Sequence, residues 1–313
     1  MRYTELGSTK EKVSVLTLGT WAIGGAGWGN VLEKDCLRAI DCMIDQGVNS
    51  IDTAPAYGCG SAEQLLGRTV KGKRNKIFLT TKGGVTWDSQ GELMIHPTYN
   101  QIISDCEASL KRLDTDYVDL YLIHWPSEDV AVEENIRALE TLKRDGKIRF
   151  TGASNFSQGQ IIEARKNGSF DVLQQPYSMV AQEFKELLVW AHSNQIGTMS
   201  YGSLGAGILT GSIREMPGFE ENDMRLTFYD YYKEPKFSKV MELVKYLDIF
   251  AEKYSKPVAQ VTINWSTQCG FLDTILMGVR NEHEALENCA SLDWQLDAAD
   301  VDSISRKIVE LLG

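Results

Sequence analysis

Eight short β-rich runs alternate with amphipathic helical stretches along the whole chain, with no linker, repeat or low-complexity segment between them. The runs are Ser14–Gly19, Asn49–Thr53, Lys76–Thr81, Tyr117–His124, Lys147–Gly152, Val172–Gln175, Thr198–Tyr201 and Asp273–Met277. Between them the helical period shows in Ile102, Ile103, Cys106, Leu110 and Leu113. It shows again in Val132, Ile136, Leu139 and Leu142, with Gly146 as a stop signal. Strand-helix alternation builds parallel sheet, either an open doubly wound sheet or a closed barrel. A (β/α)₈ barrel takes about 250 residues, so a chain of 313 predicts one domain over residues 1–313.

The doubly wound alternative should carry G-x-G-x-x-G between its first strand and helix, with an acidic residue about 20 residues on. Gly25-Ala-Gly27-Trp-Gly29-Asn30 approaches that pattern but puts Asn30 at the third glycine. The open sheet is therefore disfavoured.

A net charge of −11 gives no global basic field, which argues against nucleic acid or an anionic membrane as partner. The acidity peaks over residues 281–313 and reads as a solvated helix surface. Six cysteines lie scattered with no CxxC spacing and no clustering with the four histidines, so no metal site is predicted. Read as reduced thiols, and with no basic-then-apolar start, they predict a cytoplasmic protein. The uncharged stretch from Val13 to Asn30 holds five glycines and no continuous apolar run, so it reads as a strand and a glycine-rich loop. Monomer and homo-oligomer both fit the sequence.

Polar and ionisable residues recur at or just after successive strands: Asp52 and Tyr57, Lys82, His124, Ser154 with Asn155, Gln174, and Tyr201. A closed barrel makes such positions converge on one face, where barrel enzymes build their sites. Convergence gives four of them a joint meaning. A phenol titrates near pH 10 and serves as proton donor when its anion is stabilised, which a neighbouring ammonium such as Lys82 can do. Asp52 can pair with that buried cation, and a neutral His124 can hydrogen-bond a substrate oxygen.

At this point the chain resembles the aldo-keto reductases. The resemblance rests on LGTW at 18–21, IDTAPAYG at 51–58, TK at 81–82, LIHWP at 122–126, GASNF at 152–156, QQPY at 174–177, and GVR at 278–280 followed by Glu287 and Asn288. It runs from the N-terminal hairpin to about Ser291 and is similar to the prokaryotic branch related to the potassium-channel β subunits. It implies a (β/α)₈ TIM barrel with an N-terminal β-hairpin and extra C-terminal helices, holding a nicotinamide cofactor across its C-terminal face. By position, the resemblance implies Tyr57 as general acid, Lys82 and Asp52 as partners that lower its pKa, and His124 as the substrate-orienting group. Ser154, Asn155 and Gln174 would hold the carboxamide, and Tyr201 would stack on the nicotinamide. Gly202, Ser203, Leu204 and Gly205 match the pyrophosphate loop, while Gly19, Thr20 and Trp21 with Gly278, Glu287 and Asn288 complete the expected cofactor cradle.

The adenosine end departs from the family pattern. Arg280 is placed to meet a 2′-phosphate, and Arg225 matches a phosphate-side arginine, but Glu284 and Ser212 stand where Gln or Arg and Lys are usual. A carboxylate at 284 suits a ribose hydroxyl instead. NADP(H) is favoured, with NAD(H) or dual use open. Ser61, beside Ala62, is a possible helix cap. Trp21, Trp28, Trp87 and Trp125, with Tyr57 and His124, are expected around the substrate, as an aromatic wall suited to sugar rings or aryl carbonyls. The stretch from Ser212 to Pro235 reads as a cofactor-clasping or substrate-capping loop. The resulting expectation is an NAD(P)(H)-dependent oxidoreductase acting on a small carbonyl or alcohol. A redox-sensing regulatory subunit with little turnover is the alternative from another class, and a barrel isomerase is a third.

Overall fold

The chain opens on a hairpin, β1 (Tyr3–Glu5) and β2 (Lys12–Ser14), paired antiparallel with Thr4 opposite Val13. It caps the far end of a barrel. Gly7 sits there with φ +50°, its N–H donating to Asp273 Oδ2 at 3.0 Å, and a Cβ on it would collide with the backbone of Gly197. Leu6 and Val13 thereby reach the barrel interior, joining Phe78, Leu120, Leu122, Val172, Met199 and Leu276 in one packed core. The computed structural model describes residues 1–25, 32–88, 90–219, 223, 225 and 228–313.

Eight parallel strands close on themselves: β3 (Leu16–Gly19), β4 (Ser50–Asp52), β5 (Phe78–Gly83), β8 (Val118–Ile123), β9 (Ile148–Ser154), β10 (Val172–Pro176), β11 (Gly197–Tyr201) and β12 (Thr274–Gly278). They are the eight runs expected from the sequence, shifted by a few residues at their ends. A second hairpin, β6 (Val85–Trp87) and β7 (Leu93–Ile95), interrupts the alternation after β5. The (β/α)₈ class is thus the observed one, and its register places the site. Gly19 lies beside Asp52, Asp52 beside Thr80, Lys82 beside Leu122, and Gln174 beside Ser154; Gly19, Asp52 and Ser154 are the last residues of their strands.

Amphipathic outer helices bury one stripe toward the barrel. In α1 (Glu33–Asp45) it is Cys36, Ala39, Ile40 and Met43; in α4 (Val132–Arg144) it includes Ile136, Leu139 and Leu142. Around the ring follow α2 (Ser61–Val70), α3 (Tyr99–Leu113), α5 (Gln158–Asn167), α6 (Lys185–Ser193), α7 (Lys236–Tyr254), α8 (Val258–Ser266), α9 (Glu282–Ala290) and α10 (Ala298–Leu312). Thr98 caps α3 and Asn281 caps α9 through side-chain oxygens. Ser61 does not cap α2. It is already the first helical residue, Gly60 occupies the cap position, and the Ser61 hydroxyl donates to the Gly24 carbonyl.

All six cysteines are free thiols. Among the described residues no helix is long and apolar enough to cross a membrane, and no group of His, Cys, Asp and Glu is arranged to hold a metal ion.

Candidate active site

The chain leaves β4 at Asp52 and turns back before α2, with the Tyr57 N–H donating to the Ala54 carbonyl at 3.1 Å and the Ser61 N–H to Gly58 at 3.1 Å. Gly58 is the residue that lets this turn seat. Its φ is +60°, which favours glycine, and a Cβ on it would run into the Gly24 carbonyl. Held there, the Tyr57 ring stacks against Trp21 with centroids 6.2 Å apart and meets the edge of His124 at 5.8 Å.

Beneath Tyr57, on β5, lies Lys82, whose side chain is 0% exposed. Its ammonium donates to Asp52 Oδ1 at 2.6 Å, to the Thr53 carbonyl at 3.0 Å and to the Tyr57 hydroxyl oxygen at 3.2 Å. The second Asp52 oxygen accepts from Gln174 Nε2 at 2.9 Å. A buried ion pair needs its remaining lone pairs satisfied, and Gln174 does this for Asp52. Across the floor, Asn155 has φ +62°. Its amide donates to the His124 carbonyl at 2.9 Å and to Ser154 Oγ at 3.1 Å, and its amide oxygen accepts from the Tyr201 hydroxyl at 2.8 Å.

The electrostatics correct one expectation. Burial and then the Asp52 charge push Tyr57 well above an ordinary phenol, so Asp52 does not lower the Tyr57 pKa. A carboxylate opposes a nearby phenolate, and what Asp52 contributes is a fixed position for Lys82. Desolvation pulls Lys82 down, with Asp52 pulling it back up. Burial, followed by the Lys82 charge, holds His124 well below its usual range, so its imidazole is neutral near pH 7.

Above this floor opens a cavity of about 940 Å³. Most residues singled out in the sequence border it. Around Tyr57 are Trp21, Asp52, His124 and Trp125, with Gly19 and Thr20 beside them. Ser154, Asn155, Gln174 and Tyr201 line the middle. Gly202, Ser203, Leu204 and Arg225 follow along one wall, and Gly278, Arg280, Glu284, Glu287 and Asn288 form the far end.

Three predicted residues do not border it. Lys82 lies sealed under Tyr57. Gly205 is buried behind the wall, where a Cβ would press on Ile208 and Val180. Trp87 is drawn away beneath the Arg112 guanidinium, which lies 5.9 Å from its ring centre and is itself held by Glu63 at 2.6 Å. Trp28 lies outside the described residues, as does most of the glycine-rich stretch around it.

The cavity also has walls that the sequence reading missed. Val85 and Leu93 come from the β6–β7 hairpin, and Pro257, Val258 and Ala259 from the start of α8. The hairpin did carry a signal, two β-prone runs around Asp88 and Gly91. Asp88 Oδ1 accepts from the N–H groups of Gln90 and Glu92 at 2.8 and 3.0 Å.

A dinucleotide fits this cavity on an observation independent of motif. Ser203 Oγ is buried against the cavity with no hydrogen-bonding partner among the described residues, on a loop where Gly202 has φ +73° and open space beside it. A buried hydroxyl left unsatisfied is costly unless a ligand meets it. At the far end the two expected phosphate-binding arginines are already engaged. Glu284 accepts from the Arg280 guanidinium at 2.8 Å and from its backbone N–H at 2.8 Å. Asp223 accepts from Arg225 at 2.6 and 2.9 Å.

Residues 15–309 match the sequence model described as the Aldo/keto reductase family. The chain is 38% identical to the aldo-keto reductase YhdN of Bacillus subtilis (strain 168), over 97% of this chain and 93% of that protein. It is 30% identical to the NADH-specific methylglyoxal reductase of Escherichia coli (strain K12), over 100% and 99%. Among solved structures, the glycerol dehydrogenase of Gluconobacter oxydans superposes with a TM-score of 0.89 at 28% identity, covering 99% of this chain and 96% of its own.

Proposed function

The chain belongs to the aldo/keto reductase family, and from that premise we propose that it interconverts a small carbonyl compound and its alcohol with Tyr57 as proton donor and acceptor. The observation that carries this reading is the chain of contacts from Asp52 through Lys82 to the Tyr57 hydroxyl, at 2.6 and 3.2 Å.

An ammonium has donors and no acceptor, so the Tyr57 hydroxyl cannot donate to Lys82 and keeps its own proton for the cavity side. A bound nicotinamide supplies the hydride that reduces the carbonyl carbon. As the C=O π bond breaks, Tyr57 gives its proton to the oxygen, and Lys82 faces the phenolate left behind. His124, neutral and at the edge of Tyr57, positions the carbonyl oxygen by hydrogen bonding. In the oxidative direction the same groups act in reverse, with Tyr57 taking the alcohol proton.

Ser154, Asn155 and Gln174 would hold the carboxamide, Tyr201 would face the ring, and Ser203 with the backbone of Gly202 and Leu204 would meet the pyrophosphate. For the adenosine end the arginine pairing moves the reading from NADP(H) to NAD(H). A 2′-phosphate would bring negative charge beside Glu284 and Asp223, whereas a ribose hydroxyl can donate to a carboxylate. Exposed pairs of this kind are worth about 0.2–1 kcal/mol, so NADP(H) is also accepted, more weakly. The relative named as NADH-specific supports this order.

The test is to supply the purified chain with an aldehyde panel and either reduced cofactor, and to follow carbonyl-dependent cofactor consumption. Consumption with NADH above NADPH is expected. Cofactor binding with no turnover on any carbonyl or alcohol would favour a sensing role.

A further inference from the structure

We propose that the β6–β7 hairpin selects the substrate and that it selects an uncharged carbonyl compound with an apolar or aryl body, Leu93 being the residue that sets the choice. The proposal rests on the oxidoreductase reading above and deepens it.

The catalytic end of the cavity is bounded by apolar surface on both sides. On one side Trp21 stacks on Tyr57 and meets the edge of Phe228 at 6.0 Å, with Trp125 directly after His124. On the other side stand Val85 and Leu93. The hairpin register sets Trp87 opposite Leu93 and Val85 opposite Ile95. Leu93 is 54% exposed although it borders a cavity, and its neighbours Met94 and Ile95 are nearly as open. The rim thus carries an exposed apolar side chain at the pocket, Leu93 with Val85 on the paired strand, and an apolar substrate body would cover it.

Charge points the same way. The three arginines that border the cavity, Arg214, Arg225 and Arg280, come from the segments after β11 and β12, at the dinucleotide end, and each is held by a carboxylate: Asp248, Asp223 and Glu284. Lys82 is sealed under Tyr57 and committed to Asp52. His124 is neutral, and the residues outside the description include no Lys or Arg. A substrate carboxylate or phosphate beside Tyr57 would therefore lose water and gain no described cation, since the Lys82 charge is already neutralised by Asp52. That is unfavourable by the cost of burying an unpaired charge.

The experiment compares 4-methylbenzaldehyde with 4-carboxybenzaldehyde, similar in size and differing in charge, in the wild-type enzyme and in Leu93→Arg at saturating reduced cofactor. The wild type should show kcat/KM at least about tenfold higher for the methyl compound. Leu93→Arg should shift that ratio toward the carboxylate by about tenfold or more. Leu93 is solvent-exposed, so thermal denaturation should find the variant folded. Equal or reversed preference in the wild type would overturn the substrate class, and an unchanged ratio in Leu93→Arg would overturn the assignment to Leu93. Absence of turnover on both aldehydes and on neutral alkyl aldehydes would instead overturn the oxidoreductase reading, and this inference with it.

Discussion

The Lys82 ammonium donates to the Tyr57 hydroxyl oxygen at 3.2 Å from a position with no solvent exposure. Two consequences follow from that geometry. The phenol proton is left facing the cavity, where a reacting oxygen would lie. If Tyr57 gives up that proton, the charge its phenolate faces is already fixed in place, so no solvent has to reorganise around it.

Removing Lys82 separates its structural from its chemical role. Lys82→Met leaves Asp52 buried beside only Gln174, and breaking a buried pair in this way costs about 3–5 kcal/mol. Urea denaturation should show that loss, and Asp52→Asn with Lys82→Met should recover most of it because no unpaired charge remains. Turnover should stay low in both variants. A Lys82→Met protein as stable as wild type would show that the pair is not the buried anchor described here.

The pH dependence has a defined sign. Tyr57 is raised above the usual phenol range, so its protonated form persists and carbonyl reduction should be flat from about pH 6 to 9. Alcohol oxidation needs the phenolate and should rise with pH over the same range. His124 is depressed below its usual value, so the folded state resists a proton that the unfolded chain accepts. Stability is therefore full above about pH 6.5 and declines as pH falls below it. A reductive rate falling with a midpoint near pH 7 would contradict the raised phenol.

The proposed cofactor choice can be probed at the Arg280–Glu284 pair. In Glu284→Gln the Arg280 guanidinium loses its ionic partner at 2.8 Å and becomes available to a 2′-phosphate. Quenching of tryptophan fluorescence should then show the NADPH-to-NADH affinity ratio rising by about two- to fivefold. Tighter NADPH binding in the wild type, with no response to the substitution, would place selectivity elsewhere.

Much of this arrangement was legible in the sequence because a barrel brings strand ends together whatever the helices between them do. Asp52, Lys82, His124 and Gln174 needed only their strands to be recognised. The β6–β7 hairpin was not legible by the same rule, since it is an excursion from the strand-helix alternation. Trp87 misled because its place depends on Arg112, a residue 25 positions later that Glu63 fixes from another helix. Arg280 and Glu284 were both read, but as independent groups. Their pairing is seen only once the chain turns into α9, where the Asn281 side chain accepts from the Glu284 N–H and Glu284 accepts from the Arg280 N–H.

The proton-transfer role proposed for Tyr57 is tested by one decisive comparison: carbonyl-dependent consumption of reduced cofactor by wild type and Tyr57→Phe, with cofactor affinity measured in parallel. The phenyl ring keeps the stack on Trp21 and loses only the hydroxyl that Lys82 reaches. Cofactor affinity should be unchanged while kcat falls by at least about 10²-fold, the scale of general acid catalysis. Full turnover in Tyr57→Phe would contradict the assignment of Tyr57 as the proton donor.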